Sequence, residues 1–151
     1  MNKFSTFVLI LLLCGCMSNR GAPIKESDLP KKNDSREIVV YIISPKGYFP
    51  PYEFYLIDIN GVKKRIYFGT YSYISFEKYL LKKLDVQYQF NSHAKVGYSD
   101  EVNAIHEMSL FLLTTSPDPL FLLRSGGEFK WVDKSEALQA MSDLVLADFT
   151  Q

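Results

Sequence analysis

The chain has two cysteines, Cys14 and Cys16, and their thiols are the side chains best suited to covalent chemistry. A thiolate acts as a nucleophile or a metal ligand, and a thiol can also carry a covalent modification. Asn2 and Lys3 form a weakly positive start, and residues 7–13 form an apolar run that ends directly before Cys14. A positive start, a short apolar run and a small residue before the cut are typical of a secretory signal peptide. The sequence therefore predicts a signal peptide over residues 1–15.

The residues around Cys16 resemble a bacterial lipobox. Gly15 stands directly before this cysteine, and Leu13 lies three positions before it. The resemblance implies that the thiol of Cys16 receives a diacylglycerol, that the chain is cut before it and that the new amino group is acylated. A cut before Cys14 is the alternative, but the three leucines before it are poor small-residue neighbours. We expect a lipoprotein anchored to the membrane through Cys16.

The length of the apolar run and the residue after Cys16 bear on localisation. Residues 4–13 are only ten residues, whereas crossing a bilayer takes about 20. An uncleaved transmembrane anchor is therefore the weaker reading of this run. The residue after Cys16 is Met17. In lipoproteins of enteric-type bacteria, an Asp at this position favours retention in the inner membrane. The resemblance thus implies a cell-envelope protein at the outer membrane, facing the periplasm.

Charge and cysteine content exclude several classes of function for the mature chain. Lys3 is the one charge in residues 1–15, so 17 basic and 17 acidic residues become 16 and 17, a net charge of −1. Such a balance gives no electrostatic case for nucleic acid. The run Lys63, Lys64 and Arg65 is more typical of a solvated strand face than of a partner site. After cleavage and lipidation no cysteine is left for a disulfide, a nucleophile or a ligand.

Histidines and serines offer little further chemistry. His93 and His106 are thirteen positions apart, and only Asp100 and Glu101 stand near them, whereas a zinc site takes three or four ligands. If His106 and Glu107 share a strand, their side chains point to opposite faces. Ser125-Gly126-Gly127 lacks the G-x-S-x-G context of a nucleophile elbow. We expect no metal, no cofactor and no enzymatic activity.

Local patterns divide the chain into a signal peptide, a flexible tether over residues 16–36 and a β-sandwich domain over residues 37–151. Seven to eight short strands with frequent turn signals predict a mostly-β fold. Asn60-Gly61 predicts a two-residue hairpin, because both central residues of a type I′ turn need positive φ. Residues 77–84 are ambiguous, and their apolar residues fit one helical turn or two. The strands are expected at residues 38–43, 53–59, 62–68, 71–76, 85–90, 103–114, 120–124 and 129–132.

The C-terminal region changes period and predicts one amphipathic helix. Its start resembles a capping box formed by Asp133 and Glu136, with Ser135 as a competing cap. We expect the apolar stripe of this helix to pack against the sheet. The residues of the stripe are Ala137, Leu138, Met141, Leu144, Val145 and Phe149.

Several short motifs resemble small bacterial lipoproteins with an uncharacterised immunoglobulin-like or transthyretin-like β-sandwich domain. The motifs are Val40-Tyr41, Pro45-Lys46-Gly47, Asn60-Gly61 and Gly69-Thr70-Tyr71. The resemblance implies a sandwich but brings no established activity. That family usually has a Pro-Gly turn where this chain has residues 77–84, so strand register from there onward stays open.

Three aromatic side chains are the best candidates for partner binding. Tyr48, Phe49 and Tyr52 flank Pro50 and Pro51, which stiffen the loop and lower the entropy lost on binding. The alternative is that these rings cap the end of the core. We expect a lipid-anchored cell-envelope protein of non-enzymatic binding or assembly type, with an envelope protein as its partner. A periplasmic inhibitor or immunity-type lipoprotein, acting against a toxin or an envelope enzyme, is the second hypothesis.

Overall fold

A computed structural model describes residues 24–29, 36–47, 53–91, 104–113, 116 and 118–147. Within these ranges the chain forms nine strands in two sheets and one short α-helix. This architecture confirms the predicted small, mostly-β sandwich with a helix near its C-terminal end. No helix in the described ranges is long and apolar enough to cross a membrane.

The strands follow one another through the chain with mostly short connections. They are β1 (Glu37–Ser44), β2 (Phe54–Ile59), β3 (Val62–Tyr67), β4 (Thr70–Glu77), β5 (Lys83–Asn91), β6 (His106–Phe111), β7 (Leu120–Ser125), β8 (Glu128–Val132) and β9 (Val145–Leu146). The five-stranded sheet has the order β8-β7-β1-β4-β9, and the four-stranded sheet has the order β3-β2-β5-β6. Neighbouring strands are antiparallel, except that β1 runs parallel to β7 and β4 runs parallel to β9.

Strand β1 lies at the centre of the five-stranded sheet and is buried on both faces. Each of its residues from Ile38 to Ser44 is buried. Successive side chains of a strand point to opposite faces, so the side chains of β1 pack in two separate cores. Ile38, Val40 and Ile42 enter the core between the sheets, and Val39, Tyr41 and Ile43 enter a second core on the outer face. This double burial explains the continuous β-branched run in the sequence.

The core between the two sheets is built from aliphatic residues around a group of aromatic rings. The Tyr55 ring is 5.3 Å from the Phe90 ring and 5.2 Å from the Phe129 ring, between centroids. The second of these pairs is edge-to-face, an arrangement that aromatic rings favour. Because Tyr55 and Phe90 belong to one sheet and Phe129 to the other, the rings join the two sheets.

The outer core is covered by the helix and by a segment near the start of the described chain. Helix α1 (Lys134–Met141) buries Ala137 and Met141 completely against the five-stranded sheet. Leu29, which follows a 3-10 turn at Glu26–Asp28, is also buried in this core, and Ile24 packs against it. The range predicted as a tether therefore contains a short segment that packs on the domain.

The start of α1 agrees with the sequence, but its end does not. Asp133 caps the helix, because its Oδ1 accepts a hydrogen bond from the Glu136 backbone N–H at 2.9 Å. The predicted continuation of the helix beyond Met141 is wrong: Val145 belongs to β9 and is 70% exposed. The free edge of β4 is the physical reason. The N–H groups of Val145 and Ala147 donate to the Gly69 and Tyr71 carbonyls at that edge, so strand pairing replaces the last helical turns.

The hairpin turn predicted at Asn60-Gly61 is present in the structure. Asn60 and Gly61 have φ values of 49° and 86°, which confirms a hairpin turn with two left-handed residues. The Asn60 side chain also bonds the backbone of Lys83 and Asp85, which fixes β5 beside the hairpin. The ambiguous stretch at residues 77–84 contains a 3-10 turn at Lys78–Leu80 and the first residues of β5.

Burial of Tyr41 makes stability depend on pH in the alkaline range. Burial, with smaller contributions from Tyr71 and Tyr73, raises the pKa of Tyr41 to about 12. The unfolded chain releases this proton from about pH 10 upward. Stability from the neutral phenol is therefore complete below pH 10 and is lost as pH rises toward 12. We expect Tyr41→Phe to flatten the fall in the free energy of unfolding over this window in urea titrations.

Tyr73 on β4 provides the matched control for this experiment. Its ring neighbours the ring of Tyr41 on β1, and it is 37% exposed. Tyr73→Phe removes only the smallest contribution to the Tyr41 shift, so it should change the alkaline fall far less than Tyr41→Phe does. An unchanged slope in Tyr41→Phe would show that Tyr41 does not set the alkaline limit.

Candidate functional site

A buried arginine lies at the end of the sandwich where β1 and β7 finish and β2 and β8 begin. Arg124 is 7% exposed. Its Nε donates to Ser44 Oγ at 3.0 Å, one terminal nitrogen donates to the Gly126 carbonyl at 2.6 Å, and the other donates to the Pro45 carbonyl at 2.6 Å. The planar fork of a guanidinium suits three acceptors in different directions. We call Arg124 and these three acceptors the arginine latch.

An aromatic ring completes the surroundings of the arginine latch. The guanidinium carbon of Arg124 lies 4.5 Å from the centroid of the Phe68 ring, a cation–π distance. Burial lowers the pKa of Arg124, and Tyr55 acts in the opposite direction. An arginine remains charged in a protein even so. The hydrogen bonds and the ring therefore replace the water that the cation has lost.

Two further ionisable groups lie at the same end of the molecule. Glu53, directly before β2, is fully buried. The Tyr55 hydroxyl donates to the Gly127 carbonyl at 3.3 Å. Burial raises the pKa of Tyr55, Arg124 opposes this shift, and Tyr88 and Glu53 add to it. The neutral phenol therefore stays a hydrogen-bond donor at physiological pH, linking β2 to the turn between β7 and β8.

The geometry of this end is that of a structural latch. Each nitrogen of the Arg124 side chain donates to an oxygen of the protein itself. The latch ties the end of β1 to the turn after β7, across a parallel strand pair that no hairpin joins. Since β7 follows β1 by about 80 positions, these contacts close a long stretch of chain.

The predicted binding loop is attached to this end of the sandwich. Its flanking residues Gly47 and Glu53 are described, but Tyr48, Phe49 and Tyr52 lie outside the described residues. The predicted lipidation site Cys16 lies outside them as well. Whether the three aromatic rings bind a partner or cap the core therefore stays a prediction.

Only some of the residues considered for a histidine site lie in the described part of the chain. His93, Asp100 and Glu101 lie outside the described residues. His106 is in β6, where its ring stacks on Tyr88 at 5.1 Å between centroids. Glu107 faces the other side of the sheet and accepts a hydrogen bond from the Gln87 amide at 2.8 Å, as expected for neighbouring strand residues. In the described part of the chain, no three His, Cys, Asp or Glu side chains are grouped to hold a metal.

The outer face of the four-stranded sheet carries a mixed apolar and charged surface. A shallow depression of about 240 Å³ lies on this face, lined by Leu56, Asp58, Lys63, Gln87, Gln89 and Ile105. Beside it, the Phe54 ring packs at 5.5 Å from the Tyr67 ring, and the Arg65 guanidinium lies 5.4 Å from the Phe54 centroid. We call these residues the outer-sheet surface. Its composition suits contact with another polypeptide, because aromatic residues and arginine are enriched in interfaces.

Comparison with known proteins adds no relative: no family model, no curated protein and no solved structure matches this chain.

Sequence reasoning missed the arginine latch and the outer-sheet surface. A signal for the latch was present, since Arg124 ends an otherwise apolar run at Leu120–Leu123 just before two glycines. A charged residue at that position is equally typical of the solvent-exposed end of a strand. The outer-sheet surface depends on the pairing of β2 with β5, which are not consecutive in the chain, and that pairing is a tertiary property.

The latch can be tested with a substitution that keeps its charge. Arg124→Lys preserves the cation but removes the planar fork, so a single ammonium cannot reach the acceptors of Ser44, Pro45 and Gly126 together, and Ser44 among them is buried. We expect the free energy of unfolding to fall by about 2–3 kcal/mol. The change is measured by chemical denaturation followed through the fluorescence of Trp131, the one tryptophan.

The exposed Arg65 offers the matched control for the same substitution. Arg65→Lys should change the free energy of unfolding by no more than about 0.5 kcal/mol. Equal losses at Arg124 and Arg65 would contradict a latch at Arg124.

Proposed function

We propose that this protein is a lipid-anchored cell-envelope module that binds another envelope protein and performs no catalysis. Cys16 carries the lipid, and the outer-sheet surface is the part of the domain that meets the partner. The observation that carries the binding proposal is the unequal covering of the two sheets. Helix α1 and the segment around Leu29 cover the outer face of the five-stranded sheet, whereas the outer-sheet surface includes exposed side chains such as Lys63, Gln87 and Ile105.

The sequence before the domain supports the anchor. Leu13, Gly15 and Cys16 have the spacing of a lipobox, and an apolar run precedes them. Acylation at two positions gives a stable membrane attachment, whereas a single chain gives a marginal one. A triacylated Cys16 would therefore hold the domain at a membrane without a spanning helix.

The position of Ile24 supports an orientation of the domain relative to the membrane. Ile24 packs on the outer core of the five-stranded sheet. It is eight residues after Cys16 in the sequence (24 − 16), and eight residues span at most roughly 28 Å when fully extended. The helix-covered side is thus held near the lipid, and the outer-sheet surface is directed away from it.

The side chains of the outer-sheet surface support a protein partner over a small ligand. The depression is shallow, whereas small-molecule sites are concave and enclose most of the ligand. Beside the aromatic pair of Phe54 and Tyr67, the Arg65 guanidinium lies over the Phe54 ring at 5.4 Å from its centroid. At the opposite end of the same face, Lys83 and Asp85 form an ion pair at 2.7 Å, and Ser109 donates to Asp85 at 2.6 Å. An apolar centre with ordered polar neighbours is typical of protein interfaces.

The anchor is tested by fractionation of membranes and by the intact mass of the native protein. We expect wild type in the outer membrane, with the mass of residues 16–151 plus lipid. Cys16→Ala should be unprocessed or mislocalised, because it removes the thiol that the lipid requires. Cys14→Ala is the matched control and should behave as wild type. Soluble wild-type protein, or a mass that includes residues 1–15, would overturn the anchor.

The binding surface is tested by placing a photo-crosslinking residue at Gln87 in intact cells. Gln139, an exposed residue of the same type on helix α1, gives the matched control. We expect a discrete protein adduct from Gln87 and none from Gln139. Adducts of equal yield from both positions, or none from Gln87, would contradict a partner surface on the four-stranded sheet.

A further inference from the structure

The two edge strands of the four-stranded sheet have opposite character. Edge strand β3 carries three consecutive basic residues, Lys63, Lys64 and Arg65. Lysines on an edge strand discourage pairing with another chain, because pairing would bring their charges together. Edge strand β6 contains no lysine and no proline, and Glu107 is its one acidic residue. Edge β6 therefore lacks the protection that β3 has.

Backbone hydrogen bonding determines which residues of β6 face outward along the edge. The Leu112 N–H donates to the Lys82 carbonyl at 2.9 Å. In an antiparallel ladder, hydrogen-bonded and non-bonded pairs alternate. The even-numbered residues from 106 to 112 thus direct their N–H and C=O groups toward β5. The odd-numbered residues direct theirs away from β5, and no described strand pairs with that edge. They are Ile105, Glu107, Ser109 and Phe111; the next odd-numbered residue, Leu113, already bonds Ser116 through both its N–H and its C=O.

Exposed apolar side chains are concentrated at both ends of the same edge. Ile105 is 63% exposed, Phe111 is 71% exposed and Leu113 is 67% exposed. Few large apolar side chains elsewhere in the described chain are as exposed. A flat edge with open hydrogen-bonding groups and apolar side chains is a template for strand addition.

We propose that β6 pairs with β6 of a second copy of this chain, antiparallel about a twofold axis that passes beside Ser109. The two four-stranded sheets then form one continuous sheet of eight strands. This contact uses a sheet edge and includes Ile105 at the border of the outer-sheet surface. It leaves the residues of that surface on β2, β3 and β5 available for a different partner. It does not depend on lipid anchoring.

The sequence of β6 is self-complementary in this register. With Ser109 opposite its own copy, Ile105 lies opposite Leu113 and Glu107 lies opposite Phe111. Glu107, Ser109 and Phe111 supply the hydrogen bonds of this ladder. Ile105 and Leu113 add an apolar contact at each end, because the Leu113 N–H and C=O are already bonded to Ser116. On the core side, Met108 lies opposite Leu110. Each Glu107 is four positions from its copy, and no like charges stand opposite each other.

The same operation at the other edge of the sheet gives a repulsive result. Pairing β3 with its own copy would bring six basic side chains together, three from each strand. Like charges directly opposite destabilise a strand pair. The charge pattern thus directs self-association to β6. Because a single strand pair buries less than the roughly 1,200–2,000 Å² of a standard interface, the dimer should depend on concentration.

The position of Ser109 on the axis permits a charge-pairing experiment on the full chain. Sedimentation equilibrium in density-matched detergent gives the monomer–dimer constant for wild type, Ser109→Lys, Ser109→Glu and a 1:1 mixture of the two variants. We expect wild type to dimerise and each charged variant to associate roughly tenfold more weakly or worse. The mixture should recover dimerisation, because lysine then lies opposite glutamate. Ser109→Thr is the uncharged control and should dimerise as wild type.

Recovery in the mixture separates the proposal from misfolding and from association through the lipid. Mixing does not repair damage within one chain, such as the lost hydrogen bond from Ser109 to Asp85, and it does not change the lipid. A monomeric wild type at the highest concentration reached would overturn the proposal, and would leave β6 available to a foreign strand. Dimerisation of Ser109→Lys alone, as strong as in wild type, would overturn it as well.

Discussion

The burial of β1 on both faces is the constraint on which the rest of this structure depends. A strand with apolar side chains on both faces needs a packing layer on each side. The four-stranded sheet provides one layer, and helix α1 with the segment around Leu29 provides the other. The backbone of β1 pairs with β4 along its whole length and with β7 from Val40 to Ile43. Each of the other layers therefore takes its position from this strand.

The same constraint explains where specific polar contacts are required. Strand β1 ends at Ser44, and its parallel neighbour β7 ends at Ser125, with no turn to join them. The arginine latch joins the two strand ends, since Arg124 donates hydrogen bonds to Ser44, Pro45 and Gly126. Removing a buried cation from water is costly, and the cation is tolerated because its donors find acceptors in the protein. Because helix α1 and the segment around Leu29 cover the five-stranded sheet, the sheet whose outer face no described helix covers is the four-stranded one.

The sequence predicted those features that depend on neighbouring residues. The apolar run of β1, the left-handed turn at Asn60-Gly61 and the Asp133 cap each follow from local chemistry. The helix was predicted too long because Val145 fits the helical stripe, but the open edge of β4 gives its backbone a better partner. The latch and the outer-sheet surface combine residues far apart in sequence, so no local pattern contains them.

Native-state hydrogen exchange of the β1 amides tests most directly whether the other layers of the domain depend on this strand. The account predicts that the amides of Val40, Tyr41 and Ile42 exchange only through global unfolding, with an opening free energy equal to that of the whole domain. It also predicts that no amide of β2 or β5 is more strongly protected. Opening of β1 at a lower free energy, while the four-stranded sheet stays protected, would contradict the account.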